Sequence, residues 1–270
     1  MLPMSAVLTG NDFATQSGHW YDGKTGAPAY TIVGANGKER AVTLRDARKL
    51  GLVPSVTTIL RQEASPGLER WKIQQALMSA MTLPRTPGEE DGAFMARALK
   101  DSQEQARKAS ERGSYLHGLL EQSIQKAPIR ASEADLAIIN PVLDWLKVNF
   151  EGYQWSPERS FANPGGFGGK LDLFGERGVD GEQCAVLDFK TKSGIKDKSP
   201  DDLAYPEHQT QLAAYAYGLA RCRARCINLF IDTDVPGLIV VKEWTQDEIN
   251  SGWLAFSSLL QLWKVRKNLT

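Results

Sequence analysis

Charged residues interrupt two apolar runs between residues 168 and 192. Asp172 lies in the first run and Asp188 in the second, and Gly178-Val179-Asp180-Gly181 separates the runs. Alternating apolar runs around such a turn predict an antiparallel hairpin. If the hairpin is symmetric about Asp180, Asp172 and Asp188 face each other with their Cβ atoms roughly 5 Å apart. Facing carboxylates repel each other unless a positive group lies between them.

Lys190 supplies a positive group close to this pair. It follows Asp188 by two residues, so strand periodicity places both side chains on the same face. Two carboxylates and an ammonium group suit a hard divalent cation together with a lysine that stabilises negative charge. An exposed hairpin face with an ion pair is the alternative explanation, because it fits any single Asp-x-Lys sequence.

The neighbouring elements offer further polar side chains. Residues 155–161 are predicted to form the first strand of the central sheet, where Glu158 alternates onto one face with Ser156 and Ser160. Glu158 is either a third carboxylate of the site or the exposed side of an edge strand. Pro206 is predicted to begin a helix with a polar stripe at helical spacing, which either joins the site or faces water. The stripe consists of His208, Gln211 and Tyr215.

Two helices are predicted before the sheet. In residues 112–121, His117 and Glu121 stand one turn apart on the same helical face. A single histidine on an otherwise apolar face is usually a core residue, so this pair alone indicates no chemistry. Ser132 is predicted to open a second helix reaching about Asn149, and Pro141 predicts an early break or a kink in it.

The N-terminal third is predicted to contain a small β appendage followed by a helical region. Thr43 is expected to cap a short helix that Gly51 closes, and Ser55 either caps the next helix or meets a phosphate. Residues 66–112 are polar and helix-prone, with a break at residues 83–88. Basic and aromatic groups between Arg61 and Lys108, among them Arg61 and Trp71, indicate either a solvated helical surface or an insertion that grips a nucleic-acid strand.

Composition limits the classes of partner. The 270 residues include 32 basic and 32 acidic side chains, so any affinity for nucleic acid must come from a local patch. The set Cys184, Cys222 and Cys226 is too small for a disulfide framework or an iron–sulfur cluster within one chain. No apolar run is long enough to span a membrane, and no signal peptide opens the chain, so we expect a cytoplasmic protein that does not bind membranes.

The order of these motifs resembles the RecB-like branch of the PD-(D/E)XK nucleases. Residues 112–121 contain Arg-Gly-Ser-x-x-His-x-x-x-Glu, and Gly169-x-x-Asp172 precedes Asp188-Phe189-Lys190 and then Gln211-x-x-x-Tyr215. The similarity covers roughly residues 52–220. Members of this branch that hold an iron–sulfur cluster carry four cysteines, so the chain is more similar to the members without a cluster. These are phage-type exonucleases and the mitochondrial genome maintenance exonuclease.

The resemblance implies a fold and a domain organisation. The expected class is α/β (α+β mixed), with a restriction-endonuclease-like central mixed sheet flanked by helices, an N-terminal β appendage and a helical insertion. Residues 1–52 form the appendage and a short helix, 53–131 form a helical region, and 132–270 form the nuclease core with its C-terminal helix. These parts are expected to make one compact unit.

The resemblance also implies roles for the site residues. One or two Mg²⁺ or Mn²⁺ ions are expected, without an iron–sulfur cluster, and an imidazole ligand favours Mn²⁺ somewhat. Lys190 would position the attacking water and stabilise the transition state, and Gln211 and Tyr215 would hold that water or the phosphate, with Glu158 as a further candidate catalytic residue. The expected metal ligands are His117, Asp172, Asp188 and the Phe189 carbonyl. The expected DNA-binding residues are Ser55, Thr57, Arg61, Trp71, Arg112, Tyr115, Thr191 and Lys192.

The implied function is a metal-dependent DNA exonuclease acting on single-stranded or end-opened DNA in phage-type recombination, replication or genome maintenance. A recombinase, a single-strand-binding protein or a helicase is a candidate partner. Two alternatives stay open at this stage. One is a nucleic-acid-binding or recombination-partner protein that keeps the fold with weak turnover, and the other is a structure-specific endonuclease.

Overall fold

The structure is a computed structural model that describes residues 20–34, 37–63, 66–179 and 182–268. The centre of the predicted turn at Asp180 and Gly181 therefore lies outside the described residues. The described chain forms two compact units, one made of residues 66–115 and the other of residues 20–63 and 116–268. The predicted domain boundaries at residues 52 and 131 stay predictions.

The appendage consists of short strands and short helices. In chain order they are β1 (Trp20–Asp22), β2 (Thr31–Val33), β3 (Glu39–Ala41), α1 (Leu44–Leu50), β4 (Leu52–Pro54) and α2 (Val56–Leu60). β1 pairs with β4 and β2 pairs with β3, both antiparallel. The predicted cap of α1 is confirmed, because Thr43 and Asp46 form a capping box and Gly51 ends the helix at φ 67°. The bridge between Ser55 and Gly168 attaches the appendage to the central sheet.

Two longer helices, α3 (Pro66–Thr82) and α4 (Asp91–Ile124), follow. The predicted break lies between them. Next to it, Nε and Nη2 of Arg97 donate to the two carboxylate oxygens of Glu89, at 2.9 and 2.7 Å. The boundary between the two units falls within α4, after Tyr115, and His117 belongs to the unit that contains the sheet.

The next helix, α5 (Glu133–Asn149), has the predicted boundaries, with Ser132 as its capping residue. Of the break or kink predicted at Pro141, the break is wrong, because the helix is continuous through that residue, and the kink stays a prediction. A proline inside a helix costs about 3 kcal/mol, since it lacks an N–H and crowds the preceding turn. Ile138, Ile139 and Val142 around it are buried, and burying such side chains contributes roughly 1.5–3 kcal/mol each. Packing therefore outweighs the local penalty.

The five-stranded central sheet has its strands in sequence order. They are β5 (Gln154–Asn163), β6 (Phe167–Arg177), β7 (Gln183–Lys192), β8 (Arg225–Asp232) and β9 (Ile239–Trp244). β7 and β8 are parallel, and the other neighbours are antiparallel. The parallel pair needs a crossover, which is provided by α6 (Pro200–Leu203) and α7 (Pro206–Gly218).

Helices cover the sheet and complete the core. α7 packs on β6, β7 and β8 and against the last helix, α8 (Gln246–Arg266), which Thr245 and Glu248 cap as predicted. α5 packs near β8. Phe167, Leu212 and Phe256 are fully buried where sheet and helices meet. The predicted fold class, mixed α/β with a central mixed sheet flanked by helices, is confirmed. None of the described helices combines the length and apolar character needed to cross a membrane.

Candidate active site

A row of polar residues crosses the central sheet. The hairpin register predicted from the turn is the one found, because Leu173 pairs with Leu187 and the following pairs keep the same alignment. The same alignment places Asp172 opposite Asp188, which in turn pairs with Asn228 on β8. On the other side, Asp172 lies opposite Glu158 of β5. The pairing of β6 with β7 ends at Leu173, whereas its pairing with β5 skips Asp172 and resumes at Leu171, so the backbone ladder is interrupted at Asp172.

Asp172 is held by groups from two different elements. Its Oδ2 accepts a 2.7 Å hydrogen bond from the backbone N–H of Phe189 on β7. The same oxygen lies 3.5 Å from Nδ1 of His117 on α4. Burial raises the pKa of Asp172, but the attraction of His117 and Lys190 and the Phe189 hydrogen bond outweigh it, so the pKa is lowered overall. Asp172 is therefore ionised.

Asp188 is the buried carboxylate of the site, with 3% of the residue exposed. The explanation of an exposed hairpin face is thus wrong for this residue. Its Oδ2 accepts hydrogen bonds from Lys190 Nζ at 2.7 Å and from Asn228 Nδ2 at 2.8 Å. Burial raises the pKa of Asp188, the charge of Asp172 adds to the rise, and Lys190 opposes it; the net shift is upward. The two aspartates thus differ in pKa because they differ in partners.

Lys190 connects the carboxylates to helix α7. Burial lowers the pKa of Lys190, but Asp188 and Asp172 outweigh it and the pKa is raised, so the ammonium keeps its charge. Nζ also lies 3.2 Å from Gln211 Oε1, and Gln211 Nε2 donates to the Tyr215 hydroxyl at 3.0 Å. The prediction that this stripe could face water is wrong for Tyr215, which is 3% exposed, and for His208, which is 8% exposed.

Gly169 explains how Tyr215 fits against the sheet. A Cβ atom at Gly169 would lie 2.9 Å from Cε1 of Tyr215, closer than real Cβ contacts allow. The Gly-x-x-Asp sequence thus combines a close helix–strand contact with the aspartate three residues later. Burial raises the pKa of Tyr215 well above its usual value, with Asp188 adding to the rise. The phenol therefore stays protonated and can donate a hydrogen bond.

His117 lies beside both Asp172 and Phe189. Its ring meets the Phe189 ring edge-on, with centroids 6.0 Å apart. Burial lowers the pKa of His117, but Asp172 and Asp188 outweigh it and the pKa is raised. His117 is thus part of the aspartate cluster and is not an isolated core histidine.

Glu158 forms an ion pair with Lys170 of β6. Its φ of 53° lies in the left-handed region, so the simple alternation expected of an extended strand does not apply at this residue. Burial raises the pKa of Glu158, and Asp172 and Glu121 add to the rise against the opposing effect of Lys170. Glu158 is thus a partly buried neighbour of Asp172 that another side chain already engages.

The predicted DNA-binding residues lie in several places. Ser55 caps α2, since its Oγ accepts from the N–H of Thr58 at 3.0 Å, and Thr57 and Arg61 are exposed nearby. The Lys192 ammonium donates to the Leu203 carbonyl at 3.0 Å and lies over the Tyr205 ring.

Thr191 precedes Lys192 on β7. Trp71, Arg112 and Tyr115 belong to the unit of residues 66–115, where the Arg112 guanidinium lies 5.6 Å from the centre of the Tyr115 ring. Contacts of all these residues with DNA stay predictions.

Two polar residues of the site were not anticipated. Lys170 lies two residues before Asp172, where strand periodicity would have placed it on the same face. Asn228 is the single polar residue in the apolar run Cys226 to Ile231, and it is fully buried. A lone amide in a central buried strand is the signal that would have singled it out, because such a group needs hydrogen-bond partners.

The donor set fits a divalent cation only in part. Within the described ranges no group of three or more His, Cys, Asp and Glu side chains is drawn together as a metal site. Asp172 and Asp188 lie opposite each other, however, and the hydrogen bonds to each within the described chain end on Oδ2. Oδ1 of each aspartate therefore remains as a hard oxygen donor of the kind that Mg²⁺ and Mn²⁺ prefer.

Comparisons with known proteins give only distant similarities. No protein-family model and no curated protein matches this chain. An alkaline exonuclease, LHK-Exo from Laribacter hongkongensis, has 15% identity and a TM-score of 0.26 over 59% of this chain and 86% of that chain. The same enzyme in complex with dAMP gives 13% identity and a TM-score of 0.31 over 72% and 88% of the two chains. The protein SSO0001 gives 19% identity and a TM-score of 0.26 over 58% and 68%. Because these TM-scores are low, the similarities carry no inference about the chemistry of this chain.

Proposed function

We propose that the protein is a metal-dependent nuclease that hydrolyses phosphodiester bonds in DNA, acting as an exonuclease on single-stranded or end-opened substrates. The observation that carries the proposal is the position of the Lys190 ammonium, 2.7 Å from buried Asp188 and on the strand that faces Asp172. Asp188 is buried and Asp172 partly buried, and the pair of carboxylates raises the pKa of both Lys190 and His117, so the pair attracts positive charge. Burying negative charge is costly unless a cation compensates it.

The residues of the chain supply what phosphodiester hydrolysis requires. Asp172 and Asp188 would hold Mg²⁺ or Mn²⁺, with His117 and the Phe189 carbonyl as further candidate ligands. A divalent cation in such a site lowers the pKa of bound water and neutralises charge on the phosphate. Glu158, opposite Asp172, is a candidate third carboxylate.

Lys190 has the geometry of a charge-stabilising group. An ammonium has three N–H donors, and within the described chain two of them are used by Asp188 and Gln211. The third is available to a non-bridging phosphate oxygen, where charge grows in the transition state. Gln211 and Tyr215 would fix the direction of that donor through their own hydrogen bond. Preorganised donors of this kind contribute about 10²–10³-fold to the rate.

DNA as the substrate and cleavage from ends are suggested by the motif order, which resembles RecB-like exonucleases. The same resemblance makes a recombinase, a single-strand-binding protein or a helicase a candidate partner. A buried ion-pair network without chemistry is the competing account of the same residues. It is the less favoured one, because a buried ion pair is often no more stabilising than well-packed apolar side chains, and perturbed pKa values are typical of active sites.

The test is digestion of end-labelled single-stranded DNA with Mn²⁺, comparing linear and circular forms. Wild-type protein should degrade the linear form and leave the circular form intact. Asp188→Ala and Lys190→Met should lose activity by at least about 100-fold with unchanged circular dichroism, while Lys264→Met, a surface control on α8, should keep it. Full activity of both site variants would reject the site. Equal digestion of both DNA forms would instead indicate an endonuclease.

A further inference from the structure

Asn228 links the buried aspartate of the site to an indole on the edge strand. Its Nδ2 donates to Asp188 Oδ2 at 2.8 Å. Its Oδ1 accepts from Nε1 of Trp244, also at 2.8 Å. Asn228 itself is fully buried in β8, directly beside Asp188 in the parallel pair of strands. Both ends of the amide are therefore engaged.

The indole determines which way the amide faces. The Trp244 N–H is a donor only, so the group that meets it must be the amide oxygen of Asn228. The NH₂ group is then directed at Asp188, whose Oδ2 must act as an acceptor. The amide thus favours an ionised Asp188 with its charge in one fixed position.

Trp244 is itself held in place. The Lys242 ammonium lies 4.8 Å from the centre of the Trp244 ring, within the range of a cation–π contact. Lys242 is anchored in turn by Asp201 at 2.8 Å and by Glu248 at 3.3 Å. The support of the amide therefore reaches from the sheet to α6 and α8.

We propose that Asn228, supported by Trp244, is a positioning residue that presents Asp188 to a divalent cation. Each carboxylate oxygen has about two lone-pair positions. Lys190 and Asn228 use both positions on Oδ2, and Oδ1 is left for the cation. The proposal rests on the proposed function, because it requires a cation at Asp188.

The experiment measures Mn²⁺ binding to the purified protein by titration calorimetry without DNA, beside thermal unfolding and DNA degradation. Asn228→Ala should weaken Mn²⁺ binding by about 10- to 100-fold, as for other residues that orient a metal ligand. Trp244→Phe keeps most of the ring but loses the N–H, so it should weaken binding measurably, by a smaller factor of up to about 10-fold. Asn250→Ala is the matched control, because Asn250 is an exposed amide on α8; it should bind as wild type does.

The outcomes separate this role from a structural one. If the role of Asn228 were purely structural, Asn228→Ala would have a lower unfolding temperature than wild type, but its folded form would bind Mn²⁺ with unchanged affinity. That result would overturn the proposal. If Asn228→Ala does not fold, Trp244→Phe decides, since Trp244 is only half-buried on the edge strand β9. Unchanged Mn²⁺ affinity in that variant would also overturn it. Asp188→Ala tests the proposed function separately: if this variant degrades DNA at the wild-type rate, the nuclease site itself is wrong.

Discussion

The backbone N–H of Phe189 donates a 2.7 Å hydrogen bond to Oδ2 of Asp172, across the point where β6 and β7 stop pairing. In a continued antiparallel ladder a backbone carbonyl would accept a bond of this kind. The carboxylate replaces that carbonyl, so Asp172 belongs both to the sheet and to the candidate site. A bond from a backbone N–H to a carboxylate also favours its ionised form.

This relationship predicts different effects for two substitutions of Asp172. Asp172→Asn keeps an acceptor for the Phe189 N–H, so its free energy of unfolding should stay within about 1 kcal/mol of wild type. Asp172→Ala leaves that N–H without its partner and should lose about 1–3 kcal/mol. Both variants should lose at least about 10-fold in DNA degradation, because the charge is gone. Urea unfolding and Mn²⁺-dependent digestion measure the two effects, and a fully active Asp172→Asn would remove Asp172 from the site.

The chain of hydrogen bonds from Lys190 through Gln211 to Tyr215 predicts a graded loss of activity. Gln211→Ala removes the acceptor of Lys190 Nζ, and Tyr215→Phe removes only the acceptor of the Gln211 amide. A net hydrogen bond of about 0.5–1.5 kcal/mol corresponds to a loss of up to roughly 10-fold for Tyr215→Phe, and Gln211→Ala should lose more. Tyr217→Phe is the matched control, since its hydroxyl bonds to Asn250 on the same helix pair. Initial rates of digestion at saturating Mn²⁺ give the order, and equal rates in all variants would exclude a role for this chain.

His208 predicts a pH dependence of stability. Burial lowers the pKa of His208 to about 2, and Lys190 and Lys192 add to the effect. The unfolded chain takes up a proton below about pH 6.5 and the folded chain does not, so His208 destabilises the fold progressively as pH falls from 6.5. In the limit of full burial, His208 alone lowers the free energy of unfolding by roughly 2 kcal/mol between pH 7.5 and pH 5.

His208→Asn should remove the part of the pH-dependent loss of stability that His208 causes. Asparagine cannot titrate, yet its side-chain oxygen can still accept from the N–H of Tyr205, as His208 Nδ1 does at 3.2 Å. The variant is expected to lose stability at pH 7.5 through poorer packing but to show a shallower decline toward pH 5. Urea unfolding at both pH values checks this, and an identical decline in wild type and variant would place the titrating group elsewhere.

The features that sequence could predict are those set by neighbouring residues. Thr43 and Ser132 each cap a helix through a residue three positions later, so the pattern is visible in the sequence. The hairpin register follows from the turn, and this placed Asp172 opposite Asp188. Pro141 shows the limit of such reasoning, because its local penalty is outweighed by side chains that are buried against the sheet.

The features that sequence missed depend on residues far apart along the chain. The two partners of Asn228 lie 40 and 16 residues away. The polar stripe with His208 and Tyr215 could face either water or the sheet. The packing of α7 on β7 and β8 decides between the two. The whole core determines this packing. Helical spacing cannot predict it, because a buried and an exposed polar stripe have the same spacing.

The backbone at Glu158 predicts an inverted order of stability for two substitutions. In an extended strand, glycine is less stable than alanine by roughly 0.5–1 kcal/mol because it loses more conformational freedom on folding. At the observed φ of 53° alanine meets a steric penalty of roughly 1–2 kcal/mol that glycine avoids. Both variants lose the ion pair with Lys170 equally, so Glu158→Gly should be more stable than Glu158→Ala by about 1 kcal/mol.

Ser160 provides the control for this comparison, because it pairs regularly with Lys170 two residues further along β5. Ser160→Ala should be more stable than Ser160→Gly, the usual order for a strand. Residues held at positive φ without being glycine often serve a site, where the side chain is needed despite the strain. We therefore expect both Glu158 variants to degrade DNA more slowly than wild type even though the glycine variant relieves the strain. If the alanine variant were the more stable one at both positions, the backbone at Glu158 would not be strained. If both Glu158 variants degraded DNA as fast as wild type, the Glu158 carboxylate would have no part in the chemistry.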